Sequence, residues 1–238
     1  MKITLDLLRR ESAHSKPYRQ KIVFETNDGN ATVATALTQI NASRSYLDTD
    51  CRPVGEVRWE CSCLQKKCGA CAMLINGTPR LACDSKLREL GDTVKLEPLK
   101  KFPVIADLIV DRSIMLENLK TMRLWFNERT KADETIGAIA YEASRCLQCG
   151  CCLEVCPNFY CGSDFLGTAA IVPASRIIAA APDEQKKEIF REYKRHSYEG
   201  CGKSLACRNI CPAGIDIDSL LVNSNAAAIW KRKRRKAK

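Results

Sequence analysis

Eleven of the fifteen cysteines in this 238-residue chain fall into three spaced groups. The first group is Cys63-x4-Cys68-x2-Cys71, followed after eleven further residues by Cys83. The second is Cys146-x2-Cys149-x2-Cys152-x3-Cys156-Pro157. The third is Cys201-x5-Cys207-x3-Cys211-Pro212. Thiolates at such spacings bind iron–sulfur clusters, which carry single electrons, so the sequence indicates an electron-transfer protein.

The first group has the spacing of a plant-type [2Fe–2S] site. Gly69 and Ala70 lie between two of its cysteines, and such small residues let backbone N–H groups approach the sulfurs and tune the reduction potential. Cys61 lies two residues before Cys63, but the x4 spacing to the next cysteine selects Cys63 as the ligand. The predicted ligands of this cluster are Cys63, Cys68, Cys71 and Cys83.

The second group matches the bacterial run in which the cysteine before proline ligates the other cluster of a pair. This rule predicts that the second and third groups exchange ligands. One cluster, a [4Fe–4S] centre, is then expected on Cys146, Cys149, Cys152 and Cys211. The other is expected on Cys156, Cys201 and Cys207.

The third group is one cysteine short of that template, because Ser204 stands where a fourth thiolate would be. Three thiolates leave one corner of the cube without its usual ligand, which favours a [3Fe–4S] cluster. The alternative is a serine alkoxide that holds a fourth iron. The four remaining cysteines are interpreted as buried small residues or bystander thiols: Cys51, Cys61, Cys151 and Cys161.

Tetrahedral zinc and a disulfide framework are the competing interpretations of so many cysteines. Zinc sites usually come as two separated cysteine pairs, a pattern that neither of the first two groups has. The only histidines are His14 and His196. Asp6 interrupts the region where a signal peptide needs its apolar segment, so we expect a reducing compartment that disfavours disulfides. No apolar run approaches the roughly 18 residues of a membrane span.

The predicted fold class is α+β, with a β-rich domain over residues 1–101 and an α-helical domain over residues 102–238. In the first domain, strands are predicted at residues 3–7, 21–26, 72–75, 80–83 and 94–97, with a helix at 33–40 and a hairpin turn at Asn76-Gly77. In the second, helices are predicted at residues 105–109, 115–122, 169–181, 183–193 and 219–230. Pro173 is expected to kink or break the third of these helices.

The formal net charge of +10 is concentrated at the end of the chain, where residues 231–236 are all Lys or Arg and Lys238 follows. A solvated disordered tail, a contact with anionic lipid and a docking segment for an acidic partner remain open. No nucleic-acid recognition motif accompanies the basic residues, so we expect no nucleic-acid partner.

The three groups and their flanking segments resemble the iron–sulfur subunit of succinate dehydrogenase and fumarate reductase over nearly the whole chain. The matching stretches are residues 68–73 (CGACAM), 96–99 (LEPL), 102–108 (FPVIADL), 146–152 (CLQCGCC) and 165–170 (FLGTAA). The resemblance implies an N-terminal β-grasp ferredoxin-like domain and a helical two-cluster ferredoxin domain. It also implies the same three ligand sets that the spacings predict.

The resemblance further implies an electron-transfer subunit that relays electrons between the FAD of a flavoprotein subunit and a quinone. The catalytic dicarboxylate site would lie on the flavoprotein, and anchor subunits of the cytochrome b type would hold the chain at the cytoplasmic side of the membrane. The alternatives are a relay subunit of a related complex, such as a thiol-dependent fumarate reductase, and a free ferredoxin-type carrier.

The chain departs from the family pattern near the quinone end. Well-known members have a tryptophan after the second group and a histidine after the first cysteine of the third. Here residues 158–161 are NFYC, and Gly202 follows Cys201. Tyr160 is a candidate quinone contact, with a core aromatic as the alternative, and His196 is five residues too early to be taken as a substitute for the missing histidine.

Overall fold

The computed structural model describes residues 1–43, 45–127 and 134–230. These residues form two compact units, one from Met1 to Asp111 and the other from Arg112 onward. The first unit is a mixed sheet with one main helix, and the second is mostly helical. The predicted α+β class is therefore confirmed. The basic tail, residues 231–238, lies outside the described residues.

The first unit contains a five-stranded sheet in the order β2-β1-β5-β3-β4. The strands are β1 (Lys2–Arg9), β2 (Tyr18–Glu25), β3 (Ala72–Ile75), β4 (Thr78–Leu81) and β5 (Thr93–Glu97). β1 runs antiparallel to β2 and parallel to β5. Alternate residues Leu5, Leu7, Ile22 and Phe24 are fully buried, as the alternation in the sequence predicts. Helix α1 (Val33–Ser43) buries Val33, Ala36 and Leu37.

The β3–β4 hairpin positions two cysteines of the first group. Asn76 and Gly77 both have positive φ, of 50° and 78°, which is the backbone of a two-residue type I′ turn. Cys71 immediately precedes β3, and Cys83 lies in a 3₁₀ turn, Ala82–Asp84, that follows β4. The register pairs Ala72 with Leu81, so the hairpin brings the two thiols together.

The helix predicted at residues 105–109 is wrong. The chain forms a small antiparallel ribbon there, with strands β6 (Val104–Ala106) and β7 (Ile109–Val110). The turn residue Asp107 has φ of 41°, and its carboxylate accepts hydrogen bonds from Arg9 Nε and from the backbone N–H groups of Arg10 and Arg58. These contacts from distant parts of the chain favour the turn, whereas a short apolar run fits a strand or a helix equally well.

The second unit is built around helix α5 (Thr168–Ala180), which contacts most of the other helices. These are α2 (Ser113–Thr121), α3 (Glu134–Ser144), α4 (Cys151–Glu154), α6 (Asp183–Tyr193) and α7 (Ile217–Asn225). A buried apolar cluster from α3, α5 and α7 lies behind the cysteines, with Cys146, Cys207 and Cys211 packed against it. Short π-helical segments extend α6 over Lys194–Tyr198 and α7 over Ala226–Trp230.

Pro173 does not break α5, contrary to one of the two outcomes expected from the sequence. Proline lacks the N–H that would bond the carbonyl four residues earlier, which here belongs to Ala169. That carbonyl accepts a hydrogen bond from Gln148 Nε2 at 2.9 Å instead. A side chain from the second cysteine group therefore supplies the donor that proline removes.

Among the described residues, no helix has the length and apolar character needed to cross a bilayer. Helix α5 has thirteen residues. Its first residue follows Gly167, whose φ of 73° favours glycine, and a Cβ atom there would lie 2.3 Å from Leu153 Cδ2. Glycine is therefore required where the chain enters α5.

Candidate metal centres

The first cysteine group lies in a loop that ends in the β3–β4 hairpin. The Sγ atoms of Cys71 and Cys83 are 3.4 Å apart. Cys63 Sγ accepts hydrogen bonds from the backbone N–H groups of Gln65 and Lys67, both at 3.3 Å, and the N–H of Lys66 reaches Cys83 Sγ at the same distance. Three residues of this loop have positive φ: Leu64, Lys66 and Gly69.

The surroundings of Cys63 and Cys71 shift the pKa values of the two thiols in opposite directions. The N–H groups of Gln65 and Lys67 lower the pKa of Cys63 to about 7, which favours the thiolate that a metal needs. Burial raises the pKa of Cys71 to about 12. By contrast, Cys61 is exposed. The donors thus converge on the cysteine that the x4 spacing selects.

In the second unit, one open cavity, here called cavity 1, is lined by cysteines from two distant segments. Cys146, Cys149 and Cys152 come from the second group, and Cys211 comes from the third. The Cys151 thiol donates to Cys149 and lowers the pKa of Cys149 to about 7. Burial raises the pKa of Cys152 well above that of an ordinary thiol.

A second open cavity, here called cavity 2, is lined by Cys156, Cys201 and Cys207. Ser204 also lines it, at the position where the template has a fourth cysteine. Burial raises the pKa of Cys207, against a hydrogen bond from the Thr168 hydroxyl that lowers it. The cysteine sets of the two cavities are those predicted from the exchange of ligands.

Cavities 1 and 2 are adjacent, because Thr168 and Ile217 line both of them. Thr168 is the first residue of α5, and Ile217 is the first residue of α7. The two helix starts therefore form a shared wall between the cysteine sets. Neither residue was singled out from the sequence, since nothing in their local pattern marks them.

The cysteine donor sets have the chemistry that iron–sulfur clusters require. Within residues 1–43, 45–127 and 134–230, no three His, Cys, Asp or Glu side chains converge as the ligands of one metal ion do. Iron–sulfur clusters instead bind each thiolate to a different iron, and their inorganic core fills the space between sulfurs. A cationic metal centre also offsets the desolvation that raises the pKa of Cys152 and Cys207.

The structure also shows the surroundings of the residues near which the chain departs from the family pattern. Gly202 lies against Asn158, whose Nδ2 would be 3.0 Å from a Cβ atom at position 202. His196 is buried, with Nδ1 2.7 Å from the carbonyl oxygen of Asp164. Tyr160 is 66% exposed, so its interpretation as a core aromatic is wrong.

The four remaining cysteines differ in their surroundings. Cys51 and Cys61 are exposed, Cys161 is half-buried and Cys151 is fully buried on α4. None of the four lines cavity 1 or cavity 2. Cys151 nevertheless contacts a lining cysteine through its hydrogen bond to Cys149, a role that spacing does not indicate.

Sequence comparison places both cysteine-rich regions in known domain families. A family model described as a 2Fe-2S iron-sulfur cluster binding domain matches residues 4–117, and a 4Fe-4S dicluster domain model matches residues 142–215. The succinate dehydrogenase iron-sulfur subunit of Bacillus subtilis is 32% identical over 230 residues, covering 92% of this chain and 89% of that protein. The fumarate reductase iron-sulfur subunit of Escherichia coli O6:H1 is 33% identical over 191 residues, covering 76% and 77%.

A solved structure shares the fold. A chain of the Mycobacterium smegmatis Sdh1 complex in the apo form superposes with a TM-score of 0.77 over 97% of both chains, at 20% identity. The predicted iron–sulfur cofactors and electron-transfer role are confirmed by the family models and relatives. The chain belongs to the family of iron–sulfur subunits of succinate dehydrogenase and fumarate reductase, and it is the electron-transfer subunit of a multi-subunit oxidoreductase.

Proposed function

We propose that this subunit relays electrons between the FAD of a flavoprotein subunit and a quinone. The observation that carries the proposal is the arrangement of eleven thiols in three sets, two of them in adjacent cavities with a shared wall. When bound, the clusters accept and release one electron at a time. The protein contributes the thiolates, the hydrogen bonds to them and the burial that sets their potentials.

The proposed ligand sets combine the cysteine spacing with the cysteines that lie near one another in the structure. The [2Fe–2S] cluster binds Cys63, Cys68, Cys71 and Cys83, and the [4Fe–4S] cluster binds Cys146, Cys149, Cys152 and Cys211. The [3Fe–4S] cluster binds Cys156, Cys201 and Cys207. Support for the last assignment comes from cavity 2, where the side chain at the fourth position is the hydroxyl of Ser204. The proposed division between the two domains, at residues 101 and 102, lies ten residues before the boundary between the two compact units at Asp111 and Arg112.

The proposed partners are a flavoprotein subunit with the dicarboxylate site and membrane-anchor subunits of the cytochrome b type. The exposed Tyr160 is a proposed quinone contact, because its ring is available to a ligand or a neighbouring subunit. The proposed location is the cytoplasmic side of the cell membrane. The seven Lys and Arg residues within 231–238 support this location, since Lys and Arg near an anionic leaflet contribute about 1 kcal/mol each.

Electron paramagnetic resonance on anaerobically purified protein, with iron and sulfide assays, tests the ligand sets. Cys63→Ala is expected to remove the [2Fe–2S] signal alone, whereas the matched variant Cys61→Ala keeps all three signals. Colourless protein without acid-labile sulfide would contradict the proposed function. Deleting residues 231–238 tests the location: membrane retention at moderate salt should fall, and unchanged retention would count against the lipid contact.

A further inference from the structure

Gln148 lies inside the second cysteine group, and its side-chain amide makes two hydrogen bonds. Nε2 lies 3.2 Å from Cys146 Sγ and 2.9 Å from the carbonyl oxygen of Ala169. An amide nitrogen has two hydrogens, so each of these acceptors receives one. The side chain therefore connects a proposed [4Fe–4S] ligand to the first turns of α5.

The orientation of this amide is fixed by Pro173. Proline leaves the Ala169 carbonyl without its helical donor, and a carbonyl oxygen only accepts, so the amide atom that faces it must be the nitrogen. Cys146 Sγ faces the same nitrogen. The amide oxygen Oε1 is buried and has no hydrogen-bond partner among the described residues. Among the described residues, the Gln148 amide therefore has no donor to its oxygen, while its nitrogen stays directed toward Cys146 Sγ.

We propose that Gln148 is a positioning residue that raises the reduction potential of the [4Fe–4S] cluster by donating to the Cys146 thiolate. The proposal rests on the proposed ligand set. A donor to a ligating sulfur stabilises the more negative, reduced state of a cluster more than the oxidised state. Pro173 acts through Gln148, since the carbonyl that it frees holds the amide in place.

The experiment is a redox titration of the holoprotein followed by electron paramagnetic resonance, with thermal unfolding and iron content measured on the same samples. Gln148→Leu removes both donated hydrogen bonds at similar volume. We expect a lower midpoint potential of the [4Fe–4S] cluster, a lower Tm and unchanged potentials of the other two clusters.

A second variant separates the sulfur contact from the helix contact. Gln148→Leu combined with Pro173→Ala restores an N–H for the Ala169 carbonyl but not the side-chain donor to Cys146 Sγ, which keeps only the hydrogen bond from the backbone N–H of residue 148. The Tm should recover while the potential stays low. If the potential also returns to the wild-type value, the effect comes from the helix and the proposal is overturned. If Gln148→Leu alone does not retain the [4Fe–4S] cluster, the midpoint potential is measured on the double variant.

Gln185 is a matched control in the same unit. Its Nε2 donates to the carbonyl oxygen of Trp125 at 2.6 Å, and its Oε1 accepts from Asn127 N at 3.4 Å. Gln185→Leu should lower the Tm without moving any midpoint potential.

Three outcomes would count against the proposal or its basis. An intact [4Fe–4S] cluster with an unchanged potential in Gln148→Leu overturns the inference alone. Loss of this cluster from both the single and the double variant, with the [2Fe–2S] signal retained, also overturns it and assigns Gln148 to cluster retention. Wild-type protein without a four-iron cluster overturns the proposed function instead.

Discussion

Arg145 and Glu142 form an ion pair at the end of α3, in which one guanidinium nitrogen contacts both carboxylate oxygens. Arg145 Nη1 lies 3.0 Å from Oε1 and 2.8 Å from Oε2 of Glu142. Arg145 Nη2 also donates to the carbonyl oxygen of Ala213, and Glu142 Oε1 accepts from Asp216 N at 2.9 Å. Hydrogen bonds from Asp216 N and Arg145 lower the pKa of Glu142, so its charge is retained. The pair joins the segment before Cys146 to the segment after Cys211.

We predict that Arg145→Met weakens cluster binding in cavity 1 but not in the first unit. The substitution removes the contacts between the two segments that supply the cysteines of cavity 1. Iron release from the [4Fe–4S] cluster to a chelator should become several-fold faster, while the [2Fe–2S] cluster is lost at the wild-type rate. Arg123→Met is the control, since Arg123 pairs with Glu188 at 2.7 Å on an exposed surface. Equal rates for both variants would show that the pair does not hold this site together.

Gly167→Ala should destabilise the second unit more than Gly162→Ala. Both glycines have positive φ, of 73° and 84°, and Gly167 combines it with ψ of −178°, a region that is essentially restricted to glycine, so alanine there costs about 1–3 kcal/mol of backbone strain. Only the Cβ atom at position 167 meets a neighbour, Leu153, and overpacking adds roughly 1–3 kcal/mol. Thermal unfolding measures the difference. A Tm loss no greater for Gly167→Ala than for Gly162→Ala would refute the steric requirement.

Ser204→Cys should convert the [3Fe–4S] cluster to a four-iron form, because it completes the thiolate template around cavity 2. The measurement is electron paramagnetic resonance with iron counting on oxygen-free protein. Ser204→Ala is the matched control and should keep the three-iron signal. Retention of that signal in Ser204→Cys would contradict the role given to this position, and a changed cluster in Ser204→Ala would favour the alkoxide alternative.

Asp107→Asn should strongly destabilise the first unit, because it removes the anion that pairs with a buried cation. Arg9 Nε lies 3.0 Å from Asp107 Oδ1, and the two side chains are 7% and 4% exposed. Asparagine tolerates the left-handed backbone at this position, so the change tests the charge. Breaking a buried pair costs about 3–5 kcal/mol.

The readout for Asp107→Asn is thermal unfolding followed by the visible absorbance of the [2Fe–2S] cluster. Glu25→Ala is the control, since the Lys2–Glu25 pair is largely exposed and should contribute nothing measurable. If the two variants unfold at the same temperature, the buried pair does not stabilise this unit.

The cysteine sets were predictable from sequence because iron–sulfur ligation constrains spacing directly. Even the contribution of Cys211 to cavity 1 followed from the position of proline after the second and third groups. Gln148 was not found, since the cysteine spacing does not indicate which residues between the ligands contact sulfur, and its second partner, the carbonyl of Ala169, is freed by the distant Pro173. The pair Glu142 and Arg145 was also missed, because its acceptor and donor lie far along the chain.

Two other errors have physical causes of the same kind. Residues 105–109 form an apolar run that is too short to distinguish a helix from a strand, and the buried contacts of Asp107 decide the outcome. Tyr160 was considered a core aromatic, although its neighbour Phe159 is the residue that is buried. In each case, partners distant in sequence determine the local structure.

The interleaved origin of the cysteines in cavities 1 and 2 has a consequence for biosynthesis. Cys207, the last cysteine of cavity 2, is translated before Cys211, the last cysteine of cavity 1. Cys146, the first cysteine of cavity 1, is translated long before either of them. A ribosome that adds about 5–20 residues per second needs roughly 3–12 seconds to pass from Cys152 to Cys211. During that interval the nascent polypeptide carries several uncoordinated thiols, and delivery of iron and sulfide must follow their synthesis.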